Sequence, residues 1–325
     1  MPIGCFISPG RDLDRSLARV RRADGLGFDS AYTTHIAGRD SLSVLMAFAA
    51  HSERIRLGTG VLPIFSRTPV ATAQQAATID EFSGGRMVLG LGVSHQVTVE
   101  NWYGAQIDKP VRQMREYVAA VRAMFQAEDP PESTVFPTRF RFMGYEPRAE
   151  IPIYLAALSP KMLKLAAQAG DGVMLWLCSP AYISEVVLPE ITKAREEAGL
   201  GMEGFDVVAA VPVGLTDDIE AGRAAQRREL MTYMSLPFYR AMLERSGFGP
   251  EIAAFDEGAA AGDMERSAAG ISDAMLGEIA GIGGAEEVTA AVERYRDAGA
   301  SSPCIGGIPG TDFDGALDAV AGMLP

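Results

Sequence analysis

The sequence predicts a (β/α)8 TIM barrel, and three observations carry that expectation. Eight strand-length apolar runs recur along 325 residues, interleaved with stretches whose apolar residues fall at helical spacing. The strand runs are apolar almost throughout, as parallel strands covered on both faces require. The length suits a barrel of about 250 residues plus insertions, in one domain over 1–325. A doubly wound open sheet is the alternative, but it would normally hold fewer strands at this spacing.

The elements follow in order. Ile3–Ser8 is a strand, and Leu13, Leu17, Val20 and Ala23 recur as a helix that Gly25 and Gly27 close. Asp29–Thr34 is the second strand and Ser41–His51 its helix. Ile55–Leu62 is the third, ended by Pro63, with a helix over Thr72–Phe82 stopped by Gly84 and Gly85. Met87–Val93 is the fourth, with a long helix over Val111–Gln126. Ile151–Leu158 and Pro160–Ala169 make the fifth unit. Gly172–Leu177 and a helix across Ala181–Ala198 make the sixth. Asp206–Leu215 is the seventh strand. Ala285–Ala298 precedes the eighth strand, Pro303–Gly307, and the last helix is Asp314–Met323.

Two insertions break the rhythm, at about 128–150 before strand 5 and about 236–284 before strand 8. Long non-repeating insertions in a barrel serve as lids, substrate walls or spacers.

The net charge is −13, which argues against a nucleic-acid or polybasic membrane-surface protein. No apolar run is long enough to span a membrane, and Arg11, Asp12 and Asp14 come too early for a signal-peptide core. Three cysteines without C-x-x-C spacing fit neither a disulfide scaffold nor a thiolate zinc site. The expectation is a cytoplasmic protein that acts on a small molecule.

Three histidines are too few and too scattered for a metal hydrolase. His51 ends a helix, an ordinary capping position. His35 follows the second strand and His95 the fourth. Active sites of such barrels lie at those strand ends, so both are candidate catalytic residues. Gly90-Leu91-Gly92-Val93-Ser94-His95 falls short of the dinucleotide fingerprint, because His95 replaces the third glycine and no helix follows directly. It reads instead as a strand end where backbone approaches a flat ligand. Thr59-Gly60-Val61-Leu62-Pro63 ends the third strand in a similar way. Ser159, Pro160 and Lys161 read as a capped helix N-terminus, able to hold an anion.

Several of these segments resemble the bacterial luciferase-like family. They are Leu57–Pro63, Arg67-Thr68-Pro69, the helix through Gln74, Asp80 and Phe82, and Ser83–Gly92. Ile153–Gly172 and Ala298-Gly299-Ala300 match as well. The resemblance is nearest to the branch that uses the deazaflavin coenzyme F420, and it implies hydride transfer between that coenzyme and a small organic substrate. An FMN-dependent monooxygenase is the alternative, with a non-catalytic flavin-binding protein behind it. The resemblance implies a cis peptide at Gly60–Val61 backing the ring, with Leu62 beside it and His35 near the reactive carbon. It implies further coenzyme contacts at Ser94, at Ala157, Leu158, Ser159, Pro160 and Lys161 for the phosphate, and at Trp176, Leu177 and Cys178. His95 stands where the sugar-phosphate enzymes of that branch carry a glutamate. A homodimer is also implied.

Overall fold

The computed structural model describes residues 2–324. Its strands are β1 (Gly4–Phe6), β2 (Ser30–Thr33), β3 (Arg56–Thr59), β4 (Leu62–Pro63), β5 (Met87–Gly92), β6 (Ile153–Ala156), β7 (Gly172–Leu175), β8 (Asp206–Leu215), β9 (Gly281–Gly283) and β10 (Ser302–Gly307). All pairings are parallel, and the order β10-β1-β2-β3-β5-β6-β7-β8 closes because β10 also pairs with β8. The fold is therefore the expected TIM barrel. The third predicted strand is split into β3 and β4, with residues 60 and 61 between them.

The helices are α1 (Leu13–Leu26), α2 (Ser41–Ala49), α3 (Pro69–Ser83), α4 (Gln96–Trp102), α5 (Pro110–Phe125), α6 (Pro160–Ala169), α7 (Pro180–Tyr182), α8 (Leu188–Glu197), α9 (Ile219–Met234), α10 (Pro237–Arg245), α11 (Gly249–Ala260), α12 (Met264–Ala269), α13 (Asp273–Ile279), α14 (Ala285–Asp297) and α15 (Phe313–Ala321). A π-helical turn, Ile183–Val187, joins α7 to α8. Among the described residues no helix is long and apolar enough to cross a membrane.

The barrel interior is filled by Tyr32, Val88, Tyr154, Met174, Val208 and Cys304, with Phe6 and Val61 against them. Glycine makes room for the two tyrosines. A Cβ on Gly58 would lie 2.5 Å from the Tyr32 ring, and one on Gly172 would lie 2.8 Å from Tyr154. At the N-terminal ends of the strands a charged cluster closes the barrel. Arg56 pairs with Asp29, donates to Tyr154 Oη at 3.2 Å and lies 3.5 Å from Asp206. Asp206 accepts from Tyr154 at 3.0 Å and from Ser301 and Ser302.

The two insertions have different places. The first has no regular structure and straps the outer flank. Phe136 meets Tyr117 of α5 edge-on, Tyr145 donates to Ala77 O of α3, and Arg148 pairs with Asp80. The second is helical. Helix α9 directly follows β8, where a barrel helix belongs, yet it packs chiefly on β9 and α10, α12 and α13. Helix α14 instead lies against β8, β9 and β10. The excursion thus runs from Thr216 to Gly284 rather than from Leu236. Its ends meet, since β9 pairs with the tip of β8 and Thr216 N–H donates to Gly283 O at 2.9 Å.

Candidate active site

The barrel mouth is built from the C-terminal strand ends. Phe6 ends β1, His35 follows β2, and Gly60–Leu62 links β3 to β4. Ser94 and His95 follow β5, Ala157–Lys161 follow β6, and Trp176–Cys178 follow β7. The strand ends thus bring every predicted site residue to one end of the barrel.

His35 is the best-defined group. Asp40 caps α2 by accepting from Ser43 N–H at 2.8 Å. Its neighbour Ser41 has a backbone N–H free of intrahelical partners, as first-turn donors are. That N–H donates to His35 Nδ1 at 3.2 Å. The lone pair of Nδ1 is therefore engaged, and the neutral ring carries its proton on Nε2. Burial lowers the His35 pKa below the ordinary histidine value, and the Arg67 guanidinium adds to this, while Asp40 opposes it. Asp40 itself is paired with Arg67. His35 is thus held as a neutral hydrogen-bond donor.

Three segments have unusual backbone conformations. The Gly60–Val61 bond is cis, as the resemblance implied. A Cβ on Gly60 would lie 2.4 Å from the Phe6 ring. Ser94 has φ 61° and Leu177 φ 58°, in the left-handed region that non-glycine residues seldom enter. Both positions turn the chain at the mouth, and such conformations cluster at ligand sites.

After β6, Ser159 caps α6 by accepting from Met162 N–H at 3.4 Å, with Pro160 at the first helical position. Lys161 is exposed there. The Leu158 carbonyl is held by the Tyr182 hydroxyl at 2.7 Å. Ala157, Leu177 and Cys178 are buried, and burial pushes the Cys178 thiol up, so it serves as packing and not as a thiolate. Trp176 is half-buried, and its indole Nε1 meets no acceptor in hydrogen-bond geometry.

One wall was not foreseen. A chain of rings runs from Tyr32 in the barrel interior to Phe6 (5.6 Å between centroids) and on around the mouth to Trp176 (6.3 Å), Tyr233 (6.1 Å), Tyr239 (4.8 Å) and His95 (5.7 Å). Tyr233 belongs to α9 and Tyr239 to α10, so the second insertion lines the mouth, whereas the first packs on the outer flank. His95 has its pKa lowered by burial alone. Trp102 is exposed, and Tyr103 is half-buried near Arg67. Among the described residues no cluster could hold a metal ion.

The mouth suits a flat, phosphorylated redox coenzyme. A side-chain-free floor lies at Gly60, a neutral donor at His35, and a capped helix N-terminus with a nearby lysine offers an anion seat.

Comparison with known proteins agrees. The family model for luciferase-like monooxygenases matches residues 1–302. Over 300 residues the chain is 30% identical to a 5,10-methylenetetrahydromethanopterin reductase of Archaeoglobus fulgidus, covering 90% of this chain and 89% of that one. Over 235 residues it is 35% identical to a Mycobacterium tuberculosis protein provisionally named a coenzyme F420-dependent oxidoreductase, covering 66% of each. The structure of a coenzyme F420-dependent tetrahydromethanopterin reductase from Methanopyrus kandleri superposes with a TM-score of 0.83 at 22% identity, covering 98% of this chain and 97% of that one. The chain belongs to the luciferase-like monooxygenase family.

Proposed function

We propose that the protein is a coenzyme F420-dependent oxidoreductase that transfers a hydride between the deazaflavin and a small organic substrate. The observation that carries this reading is the neutral His35 at the mouth, with its lone pair engaged and its Nε2–H free. The names of the Mycobacterium and Methanopyrus relatives support the choice of coenzyme.

Gly60, Val61 and Leu62 would form the floor for the ring. Ser159, Pro160 and Lys161 at the α6 N-terminus would hold the phosphate. Trp176, Leu177 and Cys178 would line the far side, with Ser94 and His95 closing the substrate end. Coenzyme F420 supplies two-electron hydride chemistry when bound. The protein orients the reactants, keeps water out with its ring-lined wall, and presents the His35 Nε2–H as hydrogen-bond or proton donor.

FMN-dependent monooxygenation is the competing reading, favoured by the family description. Titration of the purified protein with coenzyme F420 and with FMN, followed by fluorescence, separates the two. Saturable binding of F420, tighter than FMN, is expected. Tight FMN binding without F420 binding would overturn the proposal.

A further inference from the structure

The α9 surface that looks toward the mouth carries an acid where an apolar residue would suit burial. Ala225, Glu229 and Tyr233 form one i, i+4 row, beside the buried row Gln226, Leu230 and Met234. Tyr233 fixes the row's direction, because its ring packs on Trp176 at the end of β7. Glu229, one turn earlier, is half-buried. Burial raises its pKa, and no cation or hydrogen bond counteracts the effect. A carboxyl in that state is costly to the free protein. On the same wall the His95 ring is half-buried, and burial alone lowers its pKa.

We propose that Glu229, with Tyr233 and Tyr239, selects the substrate: a ring-shaped or similarly apolar body with a hydrogen-bond-donating head group, neutral or cationic and never anionic. The tilted and edge-on Trp176, Tyr233 and Tyr239 rings receive the apolar body. The carboxyl of Glu229 accepts from the head group, and its charge rejects an anion by leaving two like charges in a partly desolvated site. The assignment deepens the proposed function, since it names the substrate class for that same mouth.

The test needs no knowledge of the natural substrate. Benzyl alcohol, benzylamine and benzenesulfonate share one ring and differ in head-group charge. Each is titrated at slightly alkaline pH, with and without saturating coenzyme F420. The Trp176 indole N–H resonance is the reporter, assigned with a Trp102→Phe variant. The alcohol and the amine are expected to bind about tenfold more tightly than the sulfonate. Glu229→Gln is expected to bring the sulfonate within about twofold, and Glu229→Asp to keep the discrimination. The Gln variant removes a half-buried unpaired charge, so its melting temperature should not fall below that of the wild type. Equal binding of all three probes, no response of the Trp176 indole to any probe, or an unchanged gap in Glu229→Gln overturns the proposal. The wild-type comparison stands without any variant. Failure of F420 to bind while the order holds removes the redox reading alone. Binding of F420 with no such order removes the selectivity of Glu229 alone.

Discussion

At the scale of single residues, His35 shows how a proton is placed by backbone. A polar residue just after the second strand is visible in the sequence, and so is its position at the barrel mouth. Its tautomer is not, because the group that decides it is the main-chain N–H of Ser41, six residues on and the same in any sequence. Arg67 is similar. It stands in the quoted motif, but only the fold sets it against Asp40 and His35. Since Arg67 lowers the His35 pKa and Asp40 raises it, Arg67→Met should move His35 titration to higher pH and Asp40→Asn to lower pH. With three histidines in the chain, an NMR titration resolves this directly. An unmoved His35 in Arg67→Met would remove the guanidinium from that role.

At the scale of elements, the strand runs were legible because parallel strands covered on both faces leave little room for polar residues. Met87–Gly92 lies within the predicted run, and the structure explains its glycines. The Gly90 backbone approaches Thr59 so closely that a Cβ would lie 2.0 Å from the Thr59 carbonyl oxygen. Thr59 Oγ1 donates to Gly90 O at 2.6 Å across the same contact. Gly90→Ala should therefore force the two strands apart and cost about 1–3 kcal/mol or more. A melting curve equal to the wild type would contradict that contact. Helix α9 lies in the stretch between the seventh predicted strand and the second insertion, for which the apolar pattern sets no bounds. Periodicity tells which face is buried, not what covers it, and α9 and α14 both have the stripe of a barrel helix. The wall residues Tyr233, Tyr239 and Glu229 were missed for that reason.

At the scale of the whole molecule, the mouth makes the fold acid-sensitive. Burial lowers the pKa of both His35 and His95 below the ordinary value of 6.5. An unfolded chain would take up protons at that value before the native one does. The histidine contribution to stability is therefore complete above pH 6.5 and is lost as the pH falls below it, toward the native values. Melting temperatures taken across that window should drop on acidification, and a His35→Asn, His95→Asn double variant should drop less. An identical acid response in the double variant would place the effect elsewhere.

The pairing of Leu215 with Gly283 gives the helical roof a single doorway. Whatever the chain does between those two residues, it leaves and re-enters the scaffold at one point. Longer or shorter excursions there add only slowly to the entropy of closure. The scaffold can therefore keep its redox seat while descendants exchange roofs and, with them, diets. For the protein engineer, the same doorway is the natural seam for building hybrids.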